Sequence, residues 1–213
     1  MLLGGSKGHL ALMDWKEKKL CSEIQVKETI RDVKFLHDEK MYAVAQKKYA
    51  YVYDNQGIEL HKLKNHLEPS HLEFLPYHFL LATASRLGFL KYHDISTGSI
   101  VAEYRMIIRE PVCMTLNPYN AMINVGDNRG CVSMYSPNTS APLAKILCHK
   151  GSVNSVSFDA RGFYMATAGS DGLWKVWDLR TYKLLNDYFS PTAPSKIDIS
   201  QSGLLALSYG SRM

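Results

Sequence analysis

The 213-residue sequence predicts an all-β, propeller-type fold, and three features carry that prediction. Five pairs of a large residue followed by Asp or Ser close alternating strands: Met13-Asp14, Tyr53-Asp54, His93-Asp94, Tyr135-Ser136 and Trp177-Asp178. Successive pairs are 40, 40, 42 and 42 residues apart, the length of one four-stranded blade and too long for ankyrin, tetratricopeptide or leucine-rich units. At a constant offset before each of the last four pairs lies another apolar strand closed by a tight turn, and no stretch sustains a helical period.

In chain order, residues 1–14 form a half blade, in which the turn Gly4-Gly5-Ser6-Lys7-Gly8 leads into the first marker strand. Innermost strands are expected at Asp32–Phe35, Leu72–Leu75, Val112–Leu116 and Val153–Phe158, and second strands at Met41–Ala45, Leu81–Ser85, Ile123–Asp127 and Met165–Gly169. The turns after them are Gln46-Lys47-Lys48, Arg86-Leu87-Gly88, Asn128-Arg129-Gly130 and Ser170-Asp171-Gly172; glycine ends three of the four, as a hairpin turn with positive φ favours. Third strands such as Tyr49–Tyr53 and Trp174–Trp177 then run into the markers, so blades should end near residues 54, 94, 136 and 178. A second half blade over 195–213 holds Lys196–Ile199 and Leu204–Leu207. Four whole blades and two halves make an incomplete ring with exposed strand edges, and the expectation is an excerpt of a longer, seven-bladed protein.

Composition suits a globular domain: 46% of residues are hydrophobic and 21% charged. The opening Met1-Leu2-Leu3-Gly4 is too short for a signal peptide and no run of about 18 apolar residues marks a membrane span, so a soluble intracellular protein is expected, with no membrane partner. Cys21, Cys113, Cys131 and Cys148 have no C-x-x-C spacing and read as buried free thiols. His61, His66, His71 and His78 fall on different strands and turns with no zinc-ligand spacing, so no metal and no cofactor is expected. The glycine-rich run at 4–8 lacks the G-x-x-x-x-G-K-[ST] spacing of a phosphate loop and leads into a strand instead of a helix.

Only the last full repeat carries a near-complete signature: His149, Val153, Phe158, Thr167, Asp171 and Trp177-Asp178. It resembles WD-repeat proteins, and the resemblance implies a structural hydrogen-bond network of His149, Thr167, Asp171 and Trp177. A His, an Asp and a Thr could also suggest nucleophile chemistry, but the spacing matches the structural role and no oxyanion-type loop accompanies it. In other repeats Leu87 and Arg129 replace the Asp, and these repeats are expected to rely on core packing.

Charge sorts by loop. The face formed by the second-to-third-strand turns and the connections to the next blade should collect Lys47, Lys48, Lys64, His66, Arg86, Arg105, Arg109, Arg129, His149 and Lys150, against Glu68, Glu110 and Asp171. The opposite face mixes Asp38, Glu39, Asp54, Asp94, Asp159 and Asp178 with Lys16, Lys18, Lys19, Arg161 and Arg180. Lys47, Lys48, Arg86, Arg129 and Lys150 are therefore candidate contacts for RNA phosphates or acidic partner segments; the alternative is an ordinary solvated surface.

Several strings are more specific than a Trp-Asp pair: Tyr53-Asp54-Asn55-Gln56-Gly57-Ile58-Glu59-Leu60-His61, Glu73-Phe74-Leu75-Pro76, Phe79–Ser85, Asn117-Pro118-Tyr119-Asn120-Ala121 and Pro142–His149. They resemble the nucleolar WD-repeat family counted among the small nucleolar RNA-associated proteins of the small-subunit processome, over nearly the whole chain. The resemblance implies a non-catalytic nucleolar scaffold for maturation of small-subunit ribosomal RNA, docked among other processome proteins, pre-ribosomal RNA and small nucleolar RNA. A propeller adaptor of another class, such as a ubiquitin-ligase substrate receptor or a signalling scaffold, is the alternative. An enzyme using the central channel lacks clustered carboxylates, metal ligands or a nucleophile, and no small-molecule substrate is expected.

Overall fold

In the computed structural model, which describes residues 1–38, 40–108 and 110–210, the alternating segments form antiparallel sheets and no helix. Glu39 and Arg109, assigned above to opposite faces, lie outside the described residues. The chain divides into two units, Met1–Arg109 and Glu110–Met213.

The first unit opens with a three-stranded sheet of β1 (Leu2–Gly4), β2 (His9–Asp14) and β3 (Lys19–Gln25). A four-stranded sheet follows, β4 (Ile30–Phe35), β5 (Met41–Gln46), β6 (Ala50–Asp54) and β7 (Glu59–Leu63), then another, β8 (Pro69–Leu75), β9 (Leu80–Ser85), β10 (Phe89–Asp94) and β11 (Ile100–Arg105). In the second unit the sheets are β12 (Cys113–Leu116), β13 (Ile123–Gly126), β14 (Cys131–Tyr135) and β15 (Ala144–Leu147); β16 (Val153–Phe158), β17 (Tyr164–Gly169), β18 (Leu173–Asp178) and β19 (Lys183–Phe189); and the pair β20 (Pro194–Ile199) and β21 (Leu205–Tyr209). Each sheet is a meander in sequence order, as short hairpin connections require.

The blade ends expected near 54, 94, 136 and 178 fall at the ends of third strands, and each sheet continues through a fourth strand beyond its marker. Residues 1–14 likewise extend through β3 into a three-stranded sheet. The marker carboxylates explain the join. Asp54 Oδ1 accepts from the amides of Gln56 and Ile58, Asp94 Oδ1 from Ser96 and Asp178 Oδ1 from Arg180, each at 2.8–2.9 Å. Short carboxylates that bond backbone amides two residues on favour a turn over continued strand.

The second strands of the four-stranded sheets, β5, β9, β13 and β17, are buried on both faces, and alternation sends their side chains to two cores. On β5, Tyr42 and Val44 pack with Leu10, Ile30, Tyr51 and Tyr53 toward the first sheet, while Ala43 and Ala45 pack with Leu72, Phe74 and Leu81 toward the third. On β17, Met165 joins Cys113, Val132, Met134, Val156 and Trp177, and Ala166 and Ala168 join Ile197. Inner strands are also stitched across sheets at the repeat spacing. Asp32 Oδ2 accepts from the Leu72 amide at 2.7 Å, 40 residues away, and Ser157 Oγ donates to Asp198 Oδ1 at 2.9 Å, 41 residues away.

Gly88, Gly130 and Gly172 have φ of 85°, 85° and 77°, which is why glycine ends those turns. At Gly130 a Cβ would also lie 1.9 Å from the His149 carbonyl oxygen. Gly130→Ala is therefore expected to destabilise the second unit by at least about 1–2 kcal/mol, measurable as a fall in the urea midpoint. An unchanged midpoint would show that this turn can relax.

Candidate interaction surface and its supporting network

In the β16–β19 sheet, polar side chains line up from the third strand to the connecting loop. Trp177 Nε1–H donates to Thr167 Oγ1 at 3.1 Å, Thr167 Oγ1 lies 2.9 Å from His149 Nε2, and His149 Nδ1 lies 3.1 Å from Asp171 Oδ1. One proton arrangement satisfies every member: the Thr167 hydroxyl donates to Nε2, and Nδ1–H donates to the Asp171 carboxylate. Burial pushes the His149 pKa down and Asp171 only partly offsets this, so the ring is neutral near pH 7. Burial would raise Asp171, but the Lys150 amide and His149 outweigh it and hold the carboxyl below its ordinary value. Because Asp171 also accepts from the amides of Lys150 and Leu173, it fastens the incoming loop to the tight turn.

A second buried polar cluster, in the β8–β11 sheet, corrects the expectation that the other repeats rely on core packing alone. His66 Nδ1 is hydrogen-bonded to Thr83 Oγ1, and His66 Nε2 lies 3.3 Å from His93 Nδ1. His66 precedes Thr83 by 17 residues as His149 precedes Thr167 by 18, and His93 is the marker residue where the last repeat has Trp177. With Leu87 in the Asp position, the ring has no carboxylate hydrogen-bond partner among the described residues; its second nitrogen meets His93 instead. Burial, then His93 and Lys91, lower the His66 pKa to about 3. His66 and His149, assigned above to the charged face, are thus buried neutral groups, 2% exposed each.

Around these frames stand the candidate contact residues. Lys47, Lys48, Arg86, Arg129 and Lys150 are all exposed. In the first unit, the Glu68 amide donates to the Lys48 carbonyl at 3.0 Å and the Arg86 amide to the Glu68 carbonyl at 3.1 Å, so the Lys47-Lys48 and Arg86 turns share one rim with the β7–β8 loop. In the second unit, the His149 amide donates to the Gly130 carbonyl at 3.0 Å and the Lys150 amide to Asp171, which brings Arg129, Lys150 and Asp171 onto one rim. Among the described residues none of those five cations forms a side-chain ion pair with a carboxylate. Such pairs form elsewhere, as at Lys34 with Glu73, 2.6 Å apart on neighbouring inner strands.

All four cysteines are free thiols, but the expectation that all are buried fails at Cys21, which is exposed on β3, and Cys131 is only half-buried. Burial pushes Cys113 up to about 11 and Cys148 up to about 12, so neither is a thiolate nucleophile at neutral pH. Among the described residues no group of three or more His, Cys, Asp or Glu is placed to hold a metal ion.

Residues 140–178, which include His149, Thr167, Asp171 and Trp177, match the family described as "WD domain, G-beta repeat". The chain is similar in fold to the β-propeller domain of Cps50 (Swd1) from Myceliophteria thermophila, with a TM-score of 0.85 over 98% of this chain and 75% of that one. The fold is a WD-repeat β-propeller. At 16% identity that likeness carries the fold and nothing more. Sequence is more specific: the chain is 47% identical over 211 residues to U3 small nucleolar RNA-associated protein 7 of Saccharomyces cerevisiae, and 48% identical over 211 residues to WD repeat-containing protein 46 of Homo sapiens. Both matches cover 99% of this chain but only 38% and 35% of those relatives, so the chain spans little more than a third of their length.

Proposed function

We propose that this chain is the propeller portion of a non-catalytic scaffold in ribosome biogenesis, a small-subunit processome component required for processing and maturation of small-subunit ribosomal RNA in the nucleolus. Its partners are other processome proteins, pre-ribosomal RNA and small nucleolar RNA. The observation that carries this reading is the 47% identity, over 99% of the chain, to a protein named for its association with U3 small nucleolar RNA. The scaffold role is supported by the use of His149, Thr167 and Asp171: each is engaged in bonds that join loop, strands and turn, which leaves none as a free general base. RNA contact is supported by the exposed cations on each unit's rim, which have no carboxylate partners among the described residues.

Crosslinking the tagged full-length protein in cells and sequencing the attached RNA tests this reading. Recovery of pre-ribosomal or small nucleolar RNA is the expected result; protein crosslinks alone would favour a protein-only adaptor. Lys47→Ala and Arg129→Ala should each reduce RNA recovery while leaving stability within about 0.5 kcal/mol of the parent by urea unfolding, because both side chains are exposed and form no ion pair among the described residues. Loss of folding from either would remove them as surface contacts.

A further inference from the structure

We propose that the rim of the β4–β7 sheet carries a single-stranded RNA site centred on Tyr49. This deepens the RNA-contact reading above and rests on it. Tyr49 closes the turn after β5, its carbonyl accepting from the Gln46 amide at 3.0 Å, and it is half-buried against the cluster that contains Tyr42, Val44, Tyr51 and Tyr53. Two ammonium groups lie against that ring: Lys62 Nζ is 4.7 Å and Lys48 Nζ 5.3 Å from its centroid. Lys62 sits directly across from Tyr51 in the β6–β7 register and is also 5.4 Å from the Tyr51 ring, so the sheet itself fixes its approach. Exposed Lys47 and Lys64 flank the group, and Arg86 follows on the same rim through the Lys48–Glu68–Arg86 backbone bonds.

Lys47, Lys48, Lys62, Lys64 and Arg86 form no side-chain ion pair with a carboxylate among the described residues. The acids nearby are Glu28, whose carboxylate accepts from the Lys48 amide at 2.9 Å, Glu68, and Glu59 beside Lys62. Cations therefore outnumber acids, and their spacing around one aromatic ring favours RNA over an acidic peptide. A single strand alternates phosphates with flat π-faces, so a base can stack on Tyr49 while the displaced ammonium moves to the adjoining phosphate. An acidic peptide satisfies the lysines but makes no use of the ring, and duplex RNA keeps its bases stacked away from it.

The test uses the full-length protein, a fluorescent 12-nucleotide single-stranded RNA, the same sequence as a duplex, and a poly-glutamate peptide as competitor. Tyr49→Ala should weaken single-strand binding on the order of tenfold, and Tyr49→Phe should bind like the parent, because the ring and not the hydroxyl stacks. Combined Lys48→Ala and Lys62→Ala should weaken binding and reduce the slope of log affinity against log salt by about 1.4, two phosphate contacts on a single strand. Thermal melting of each variant keeps folding separate from binding. Parent-like affinity in a folded Tyr49→Ala variant would overturn this site while leaving the RNA scaffold reading standing. Tighter binding of the duplex, or displacement by poly-glutamate with no dependence on Tyr49, would overturn it in favour of a simple anion surface. Absence of RNA binding here and of RNA crosslinks in cells would remove both.

Discussion

Trp177→Ala is expected to destabilise the second unit by about 3 to 5 kcal/mol, the range for truncating a large buried aromatic. Trp177 is 7% exposed and packs against Val132, Met134, Val156 and Met165, so truncation leaves a cavity lined by side chains from two sheets. The loss extends beyond packing. Its Nε1–H is a donor to Thr167 Oγ1, an atom with no other route to water because Thr167 is fully buried. Trp177→Phe separates the two effects: it keeps most of the apolar contact, removes the donor, and should cost about 1–2 kcal/mol. Urea unfolding followed by far-ultraviolet circular dichroism reads both, since fluorescence would lose one of only three tryptophans. Similar destabilisation by Lys47→Ala or Arg129→Ala would refute the division between a supporting network and a contact rim.

That division was only partly legible in the sequence, for reasons visible at particular residues. The marker pairs located the third strands because a residue buried at the strand end and a turn-bonding carboxylate leave a local signature, as Tyr53-Asp54 and Trp177-Asp178 do. Fourth strands leave none. β19 is exposed along its whole length and β11 alternates only between exposed and half-buried, so no burial pattern forces their composition. The cations of the rim turns are visible in the sequence as turn residues, but the pairing of Tyr49 with Lys62 depends on the β6–β7 register, and β7 is a fourth strand. The His149 network was readable because all four residue types were present at the right spacing. The His66 cluster was not, because two substitutions act together: Leu87 removes the carboxylate and His93 replaces the indole, and the ring meets Thr83 through Nδ1 where His149 uses Nε2.

That altered cluster makes the first unit sensitive to acid. In the folded protein the His66 pKa lies at about 3, lowered first by burial and then by His93 and Lys91, whereas an unfolded chain binds the proton with the ordinary value of 6.5. The unfolded state therefore holds more protons at any pH between these values. His66 contributes its full stability above about pH 6.5 and loses it progressively as pH falls toward 3. One proton taken up on unfolding gives a slope near 1.4 kcal/mol per pH unit, so at pH 4.5 the loss is about 3 kcal/mol. His93, also lowered by burial, adds in the same direction, although Asp94 opposes its shift. Asp94, Asp171 and Asp178 have depressed values, so their stabilisation fades at lower pH than this, while Glu73, raised by burial against the pull of Lys34, takes up its proton earlier in the folded state and offsets part of the histidine loss at the acid end of the window. Urea midpoints at pH 7.5, 6.5, 5.5 and 4.5 should fall steeply for the parent and less steeply for His66→Asn, whose amide can still bond Thr83 but takes up no proton. Parallel profiles for the two proteins would mean that His66 already carries its proton in the folded state, with the Thr83 hydroxyl accepting from an imidazolium.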